Sequence, residues 1–503
     1  MTPPPRPSSP AAADPDVPVS TTEPVPAGAG RARNLGRLSP GPGSDLLVGV
    51  GLGLLTGLVM LREWGLLPEV TRIAAPVLVI LVTAVLGLQV RKGRQGFIVV
   101  ALGLSALAVA TLPDWGIIIE RGLNTAAFIA AFFTALATLR NAADSSPAIR
   151  RCGRFLSQQP PGRRYAALTV GGQLFALVLN YGSIVLLGSL ALANAGQETN
   201  PEIRYHRTRR MLLAIQRGFI SSLAWSPLSF AVAITSALIP QATWLRALLP
   251  CLVTGAIVAG TGWLMDTVFK PRLSGPRPIQ KGPEDSAATL LPLLFLLLIL
   301  GGSVGLLHFL FEVRVVGAVI VVVPLIALVW VGLQAARGQR LRSMGSRARG
   351  YLGRDLPGYR GELVLLMMAG FIGTVGAQLL VPRVEAMGLD LGALPPWLIL
   401  ISLVWIIPLA GQLGMNPILA VSLIAPLLPS AEAMGVTPVA VFVAITAGWS
   451  LSGASSPFTA TTLLIGSFAG ISATRVGIQW NGIYTLTCAV ALSAWVWVYA
   501  FVL

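Results

Sequence analysis

Long apolar runs separated by short polar connections dominate this chain. Runs able to cross about 30 Å of hydrocarbon lie near 45 to 61, 71 to 90, 97 to 113 and 117 to 139. A run over 165 to 194 and an interrupted one over 211 to 240 follow, then spans near 247 to 268, 288 to 310, 315 to 334 and 363 to 381. The pattern closes with a run over 396 to 429, a second interrupted one over 438 to 470, and a span over 481 to 502. It predicts an all-α polytopic membrane protein of about eleven transmembrane helices. Two runs read differently. In 165 to 194, Asn180, Tyr181, Gly182 and Ser183 put a polar turn between two arms of about fourteen residues, each too short to span. In 396 to 429 the stretch Gly411 to Pro417 breaks the run in the same way.

Loop charges orient these segments. Arg91, Lys92 and Arg94 place the loop after the second span inside, and Pro113, Asp114 and Trp115 suit the outer interface. The loop 140 to 164 carries Arg140, Arg150, Arg151, Arg154, Arg163 and Arg164 against Asp144 alone. Arg204, Arg207, Arg209, Arg210 and Arg217 follow the run 165 to 194, so two inner loops flank one segment, which must enter and leave on the same side as a re-entrant hairpin. One long tilted helix with Asn180 packed against a neighbour is the alternative. Lys270, Arg272, Arg277 and Lys281 mark another inner loop, and Arg337, Arg340, Arg342, Arg347, Arg349, Arg354 and Arg360 mark the most basic one. Around 396 to 429 the flanks carry Arg383, Glu385, Asp390 and Glu432 with no positive excess, so the second hairpin opens from outside.

The interrupted runs correspond. Trp225-Ser226-Pro227-Leu228-Ser229 and Ser455-Ser456-Pro457-Phe458-Thr459 each break a long helix, the two prolines 230 residues apart. Each break lies about forty residues after a hairpin turn carrying an Asn. The organisation expected is a disordered cytoplasmic tail over 1 to 44, an extra membrane helix over 45 to 64, and two repeats of inverted topology. The first covers 71 to 268 with its hairpin at 165 to 194, and the second covers 288 to 503 with its hairpin at 396 to 429. Matching Gly/Pro interruptions in inverted halves point to a transporter site near the midplane.

Composition narrows the function. Hydrophobic residues make up 54% of 503 and charged ones 11%, with mean hydropathy +0.75, which excludes a water-soluble domain. The net charge of +16 lies in the Arg-rich loops and reports orientation rather than a nucleic-acid surface. The first 44 residues hold eleven of the 37 prolines and cannot bury a core. Arg31, Arg33 and Arg37 keep that tail inside, and no signal peptide precedes the first run. Cys152, Cys251 and Cys488 lack metal or disulfide spacing, and His206 and His308 read as surface or interfacial residues. Clustered catalytic side chains and a GxxxxGK[ST] phosphate loop are both absent, so neither an enzyme nor an ATP-driven pump is expected.

The order hairpin, broken helix, then the same again inverted resembles the ion transporter superfamily, with its divalent anion/sodium symporters and ArsB-like transporters. The resemblance covers roughly 71 to 502 at the level of layout. It implies an elevator motion, a homodimer, and a site of Asn180, Gly182, Ser183, Ser226, Pro227 and Ser229 with Asn416, Pro417, Ser455, Ser456, Pro457 and Thr459. The divalent anion symporters carry Ser-Asn-Thr at each hairpin tip, whereas this chain has Asn-Tyr-Gly-Ser and Gly-Met-Asn-Pro, so their substrates are not inherited.

Half-helix N-termini and Ser/Thr hydroxyls suit an anionic group, and freed carbonyls could hold a sodium ion, the one ion expected beside the substrate. The hydroxyl cluster from Ser450 to Thr462 serves either that site or helix packing. Neither hairpin nor either break contains Asp or Glu, so proton coupling finds no carrier there. Glu120, Asp266 and Glu362 read as interfacial charges, with Glu120 the alternative proton site. Tyr181, Trp225 and Trp449 either wall the site or pack between parts of the protein. The expectation is a secondary active transporter of a small organic or inorganic, carboxylate-like anion, sodium- or proton-coupled. Its expected place is a bacterial inner membrane, with the N-terminus cytoplasmic and the C-terminus periplasmic. A passive anion channel, or a lipid-handling protein, is the alternative.

Overall fold

The computed structural model describes residues 41–144, 146–271, 285–334, 340–388 and 391–503. The tail expected over 1 to 44 lies outside them up to residue 40, and Pro42 already opens a helix. Arg272, Arg277, Lys281, Arg337 and Asp390 also lie outside the described residues.

Proline in the first turn starts many of these helices, because its missing N–H has no intrahelical partner there and its fixed φ suits helix entry. The chain begins with α1 (Pro42–Glu63), α2 (Pro68–Gln89), α3 (Lys92–Thr111) and α4 (Trp115–Asp144). The short α5 (Pro147–Ser157) leads to α6 (Pro161–Leu179) and α7 (Gly182–Gly196), the arms of the first hairpin. Then come α8 (Pro201–Leu223), α9 (Phe230–Leu238) and α10 (Trp244–Val268). The second half contains α11 (Leu291–Phe311), α12 (Val315–Gln334), α13 (Arg340–Gly350), the single turn α14 (Leu356–Gly358) and α15 (Arg360–Ala386). The arms of the second hairpin are α16 (Pro396–Gln412) and α17 (Pro417–Ile424), followed by α18 (Pro438–Ser455), α19 (Ala460–Ala469) and α20 (Gly482–Phe501).

Among the described residues, ten helical stretches are long and apolar enough to cross a membrane, α18 and α19 counted as one. The eleventh expected span is the pair α8 and α9. It differs in composition because α8 starts at Pro201 and takes in Arg204, Arg207, Arg209 and Arg210, which the charge pattern alone assigns to a loop. The cause is local. Asn200 caps α8 by accepting from the Glu202 and Ile203 amides at 2.9 and 3.3 Å, and Pro201 follows. The described parts of the basic stretches, 140 to 144, 146 to 164 and 340 to 360, are likewise largely helical. In α5 the arginines alternate with Ile149, Cys152, Phe155 and Leu156, which are buried.

The two broken helices form the centre. Every residue of α18 from Val439 to Ser455 is buried, and so is every residue of α8 from Met211 to Ser222, whereas α3 buries little of its surface. They meet where Gly453 faces Ile220, and the Gln216 amide donates to the Gly453 carbonyl at 3.4 Å. Each hairpin lies along its own broken helix, α6 on α8 and α16 on α18. These contacts match in detail: a Cβ on Gly218 would run into the Thr169 carbonyl of α6, and one on Gly448 into the Leu403 carbonyl of α16. Gly218 and Gly448 are again 230 residues apart. Reciprocal contacts extend outward, α7 with α19 and α9 with α17, α3 with α15 and α12 with α4. Outside this correspondence stands α1, held at its two ends by Asp45 to Arg360 at 3.1 Å and Glu63 to Arg314 at 2.8 Å.

Candidate functional site

Prolines occur inside α2, α10, α12, α15 and α16 without ending them. At Pro227 and Pro457 the helix does end, because flanking hydroxyls satisfy the backbone that unwinding frees. Ser226 Oγ accepts from the Leu228 amide at 3.2 Å and Ser456 Oγ from the Phe458 amide at 3.3 Å, the same turn twice. Ser229 then caps α9, accepting from the Val232 amide at 3.2 Å and donating to the Leu223 carbonyl at 2.9 Å. Thr461 donates to the Gly453 carbonyl, and Thr462 to the Ser456 carbonyl at 2.6 Å. Carbonyls that the sequence offers to a sodium ion are thus partly taken by these hydroxyls.

The first hairpin turns at Asn180, whose φ of 49° and ψ of −130° favour glycine, and at Tyr181, stacked on Phe219 at 5.1 Å. The second turns through Gly414 at φ 90° into Asn416, which caps α17 by accepting from the Ile418 amide at 2.9 Å.

Both tips and both breaks line one cavity of about 440 Å³. Of the residues singled out from sequence, Asn180, Tyr181, Ser226, Ser229, Asn416, Pro417, Trp449, Pro457 and Thr459 lie on its wall. Gly182, Ser183, Trp225, Pro227, Ser455 and Ser456 do not. Gly182 makes room for Arg140, whose Nε would lie 3.0 Å from a Cβ there. Ser183 donates to the Asn180 carbonyl at 2.7 Å, and Ser455 to that of Leu451 at 2.9 Å. Ser456 is fully buried and donates to the Gly411 carbonyl at 2.7 Å, tying the second break to the second hairpin. Trp225 packs against Gly255 and accepts from the Trp244 indole at 2.9 Å.

Four helices begin at this cavity. Their N-cap residues Tyr181, Ser229, Asn416 and Thr459 all line it, so the positive ends of α7, α9, α17 and α19 converge. The Thr459 side chain does not cap α19. Its hydroxyl donates to the Ser456 carbonyl at 2.9 Å, leaving the first-turn amides of α19 without a side-chain cap.

The sequence reading placed Tyr181 and Trp449 but missed the charged residues of the wall and its phenylalanines. Arg94, in the first turn of α3, and Glu362, in the first turn of α15, both line the cavity. Arg94 and Arg140 act electrostatically on Glu362. Glu362 is therefore more than an interfacial charge, and the cavity does contain an acid. Its first-turn position is the ordinary signature of an interfacial residue, so no sequence signal separates the two. Phe97, Phe219, Phe230 and Phe458 also line the wall, and Phe230 and Phe458, which flank the breaks, were a usable signal. Asp266, by contrast, is paired, accepting from Arg210 at 2.7 and 2.6 Å.

No family model matches the chain, and no curated protein matches it in sequence. Solved structures do resemble it. The YdaH transporter of Alcanivorax borkumensis is 16% identical with a TM-score of 0.53, over 81% of this chain and 98% of that one. MtrF of Neisseria gonorrhoeae, described as illuminating a class of antimetabolite efflux pumps, is 15% identical with a TM-score of 0.54, over 84% of this chain and 97% of that one. The chain thus shares an all-α polytopic membrane fold with these two transport proteins across most of its length.

Proposed function

We propose that this protein is a secondary active transporter carrying a small organic anion with an apolar body across the bacterial inner membrane. The observation that carries this reading is the convergence of four helix N-termini and Arg94 on one aromatic-walled cavity between two hairpin tips. Helix ends and an arginine stabilise a negative group, and a cavity of about 440 Å³ falls in the range of small-molecule sites. The phenyl rings favour a substrate with an aromatic or aliphatic body over a bare oxyanion.

The loop charges support hairpins entered from opposite faces, with the N-terminus cytoplasmic and the C-terminus periplasmic. Layout supports kinship with the ion transporter superfamily and an elevator motion of α5 to α10 and α16 to α20 against the remaining helices. Glu362 offers a proton carrier beside the substrate, and sodium coupling is the competing choice. The antimetabolite efflux pumps among the fold's neighbours make export of an aromatic carboxylate the direction to measure first.

The test is flux from proteoliposomes loaded with labelled aromatic and aliphatic carboxylates, under an imposed proton or sodium gradient. Saturable flux driven by one gradient is expected. Flux that ignores both gradients and follows only the anion's own electrochemical potential would establish a passive facilitator instead, and no flux of any organic anion would remove the reading.

A further inference from the structure

A second cavity, of about 250 Å³, lies where the start of α6, one face of α8 and the residues after α10 meet. His206, Arg207 and Arg210 are spaced to share one side of α8, Arg164 comes from the first turn of α6, and Lys270 follows α10. None of the described lining residues is acidic. Two acids outside the lining pair with it: Glu198 accepts from Arg207 at 3.0 Å, and Asp266 accepts from Arg210 through both oxygens. Among the described residues, four fixed cations of the lining thus face two acids bonded to them. Arg164 is buried, 6% exposed, and burial followed by repulsion from Arg207 and Arg210 brings it down to about 10. Its Nε donates to the Gln159 carbonyl at 2.7 Å. Such a pocket suits an oxyanion such as a phosphate group.

The surroundings say which source supplies it. Trp263, Leu264, Val268 and Phe269 lead directly into Lys270 and are 50%, 56%, 64% and 71% exposed, an apolar surface adjoining the basic pocket. Phosphate chemistry with a hydrocarbon neighbour is the chemistry of a phospholipid. We propose that this pocket holds the phosphate headgroup of an anionic phospholipid whose acyl chains lie along the end of α10, clamping the base of the first hairpin to α8 and α10. The assignment to the cytoplasmic leaflet rests on the proposed topology. The phosphate assignment does not.

Thermal unfolding of the purified full chain in neutral detergent, titrated with phosphatidylglycerol, phosphatidylcholine or inorganic phosphate, tests this. Phosphatidylglycerol is expected to raise the midpoint by several degrees and phosphatidylcholine to leave it unchanged. Lys270→Gln should weaken the phosphatidylglycerol effect about fivefold in lipid concentration, and His206→Gln combined with it at least as much. Both should unfold like the parent without lipid, and Arg342→Gln on α13 should match the parent throughout. Equal stabilisation by phosphatidylcholine, no shift with phosphatidylglycerol, or an unchanged titration in Lys270→Gln would each overturn the proposal. An equal shift with millimolar inorganic phosphate would assign the pocket to a free anion and overturn the lipid. Unfolding rather than flux is read, so failure here is separate from failure of the transport reading.

Discussion

The two halves are alike at their hinges and unlike at their hairpins. Ser-Pro turns, the glycines at 218 and 448, and the packing of α6 on α8 and of α16 on α18 recur in both halves. Beyond their contacts with the broken helices, the second arms do not repeat. In the first half α7 lies against α5, α8 and α19, and it is the first arm, α6, that touches α4. In the second half α17 lies along α15, the counterpart of α4, with Ser422 filling the space above Gly373. Two copies of one layout therefore sit in different conformations within one molecule. On the proposed topology this inequality is what alternating access requires, since exchanging the two conformations would open the cavity to the other side.

The largest expected effect tests the likeness. Gly218→Val and Gly448→Val each drive a side chain into a hairpin carbonyl, and both should lower stability by about 1–3 kcal/mol or abolish folding. Detergent-solubilised yield and unfolding midpoint would read this; a severe loss in one and none in the other would break the correspondence between the halves.

The next effect concerns charge, which the cavity draws from α3 and α15 rather than from either hairpin. Arg94→Gln should weaken apparent substrate affinity roughly tenfold or more by removing the cationic partner. Glu362→Gln should leave binding in place but flatten the dependence of flux on pH, if protons are the coupling ion. Unchanged kinetics in both variants would confine recognition to the helix ends.

A smaller difference separates the two breaks. Ser456→Ala removes the bond to the Gly411 carbonyl that tethers the second hairpin and should cost about 1 kcal/mol. Ser226→Ala removes only a local turn contact, so a smaller loss of stability and a larger share of its effect on substrate affinity are expected. Comparing midpoints with transport constants for the pair would show whether the tether is real.

The smallest effect lies at the first tip. Asn180→Gly relieves a backbone conformation that favours glycine and should raise the unfolding midpoint, by up to about 1 kcal/mol of stability. Reduced flux in that stabilised variant would assign the amide to substrate; unchanged flux would leave Asn180 a turn residue.

Both turns and both breaks were legible because each carries local chemistry, Asn-Tyr-Gly-Ser, Gly-Met-Asn-Pro, and a proline flanked by hydroxyls. The start of α8 was not, because arginine count outweighed the Asn200-Pro201 cap in the reading. Within the hydroxyl cluster, sequence could not tell Thr459, on the cavity wall, from Ser456, turned to the Gly411 carbonyl. Both are small polar residues beside one proline, and only the neighbouring hairpin decides which hydroxyl is already used.

By itself the sequence determined the apolar helices, their breaks and the pairing of breaks between the halves, since apolar run length, proline and charge act locally along the chain. The tertiary structure alone decided that Arg94 and Glu362, first-turn residues more than two hundred positions apart, face the same cavity as the hairpin tips. It also decided that α6 leans on α4 whereas α17 leans on α15. These outcomes depend on how whole helices pack, and packing sums many contacts that no short stretch of sequence contains.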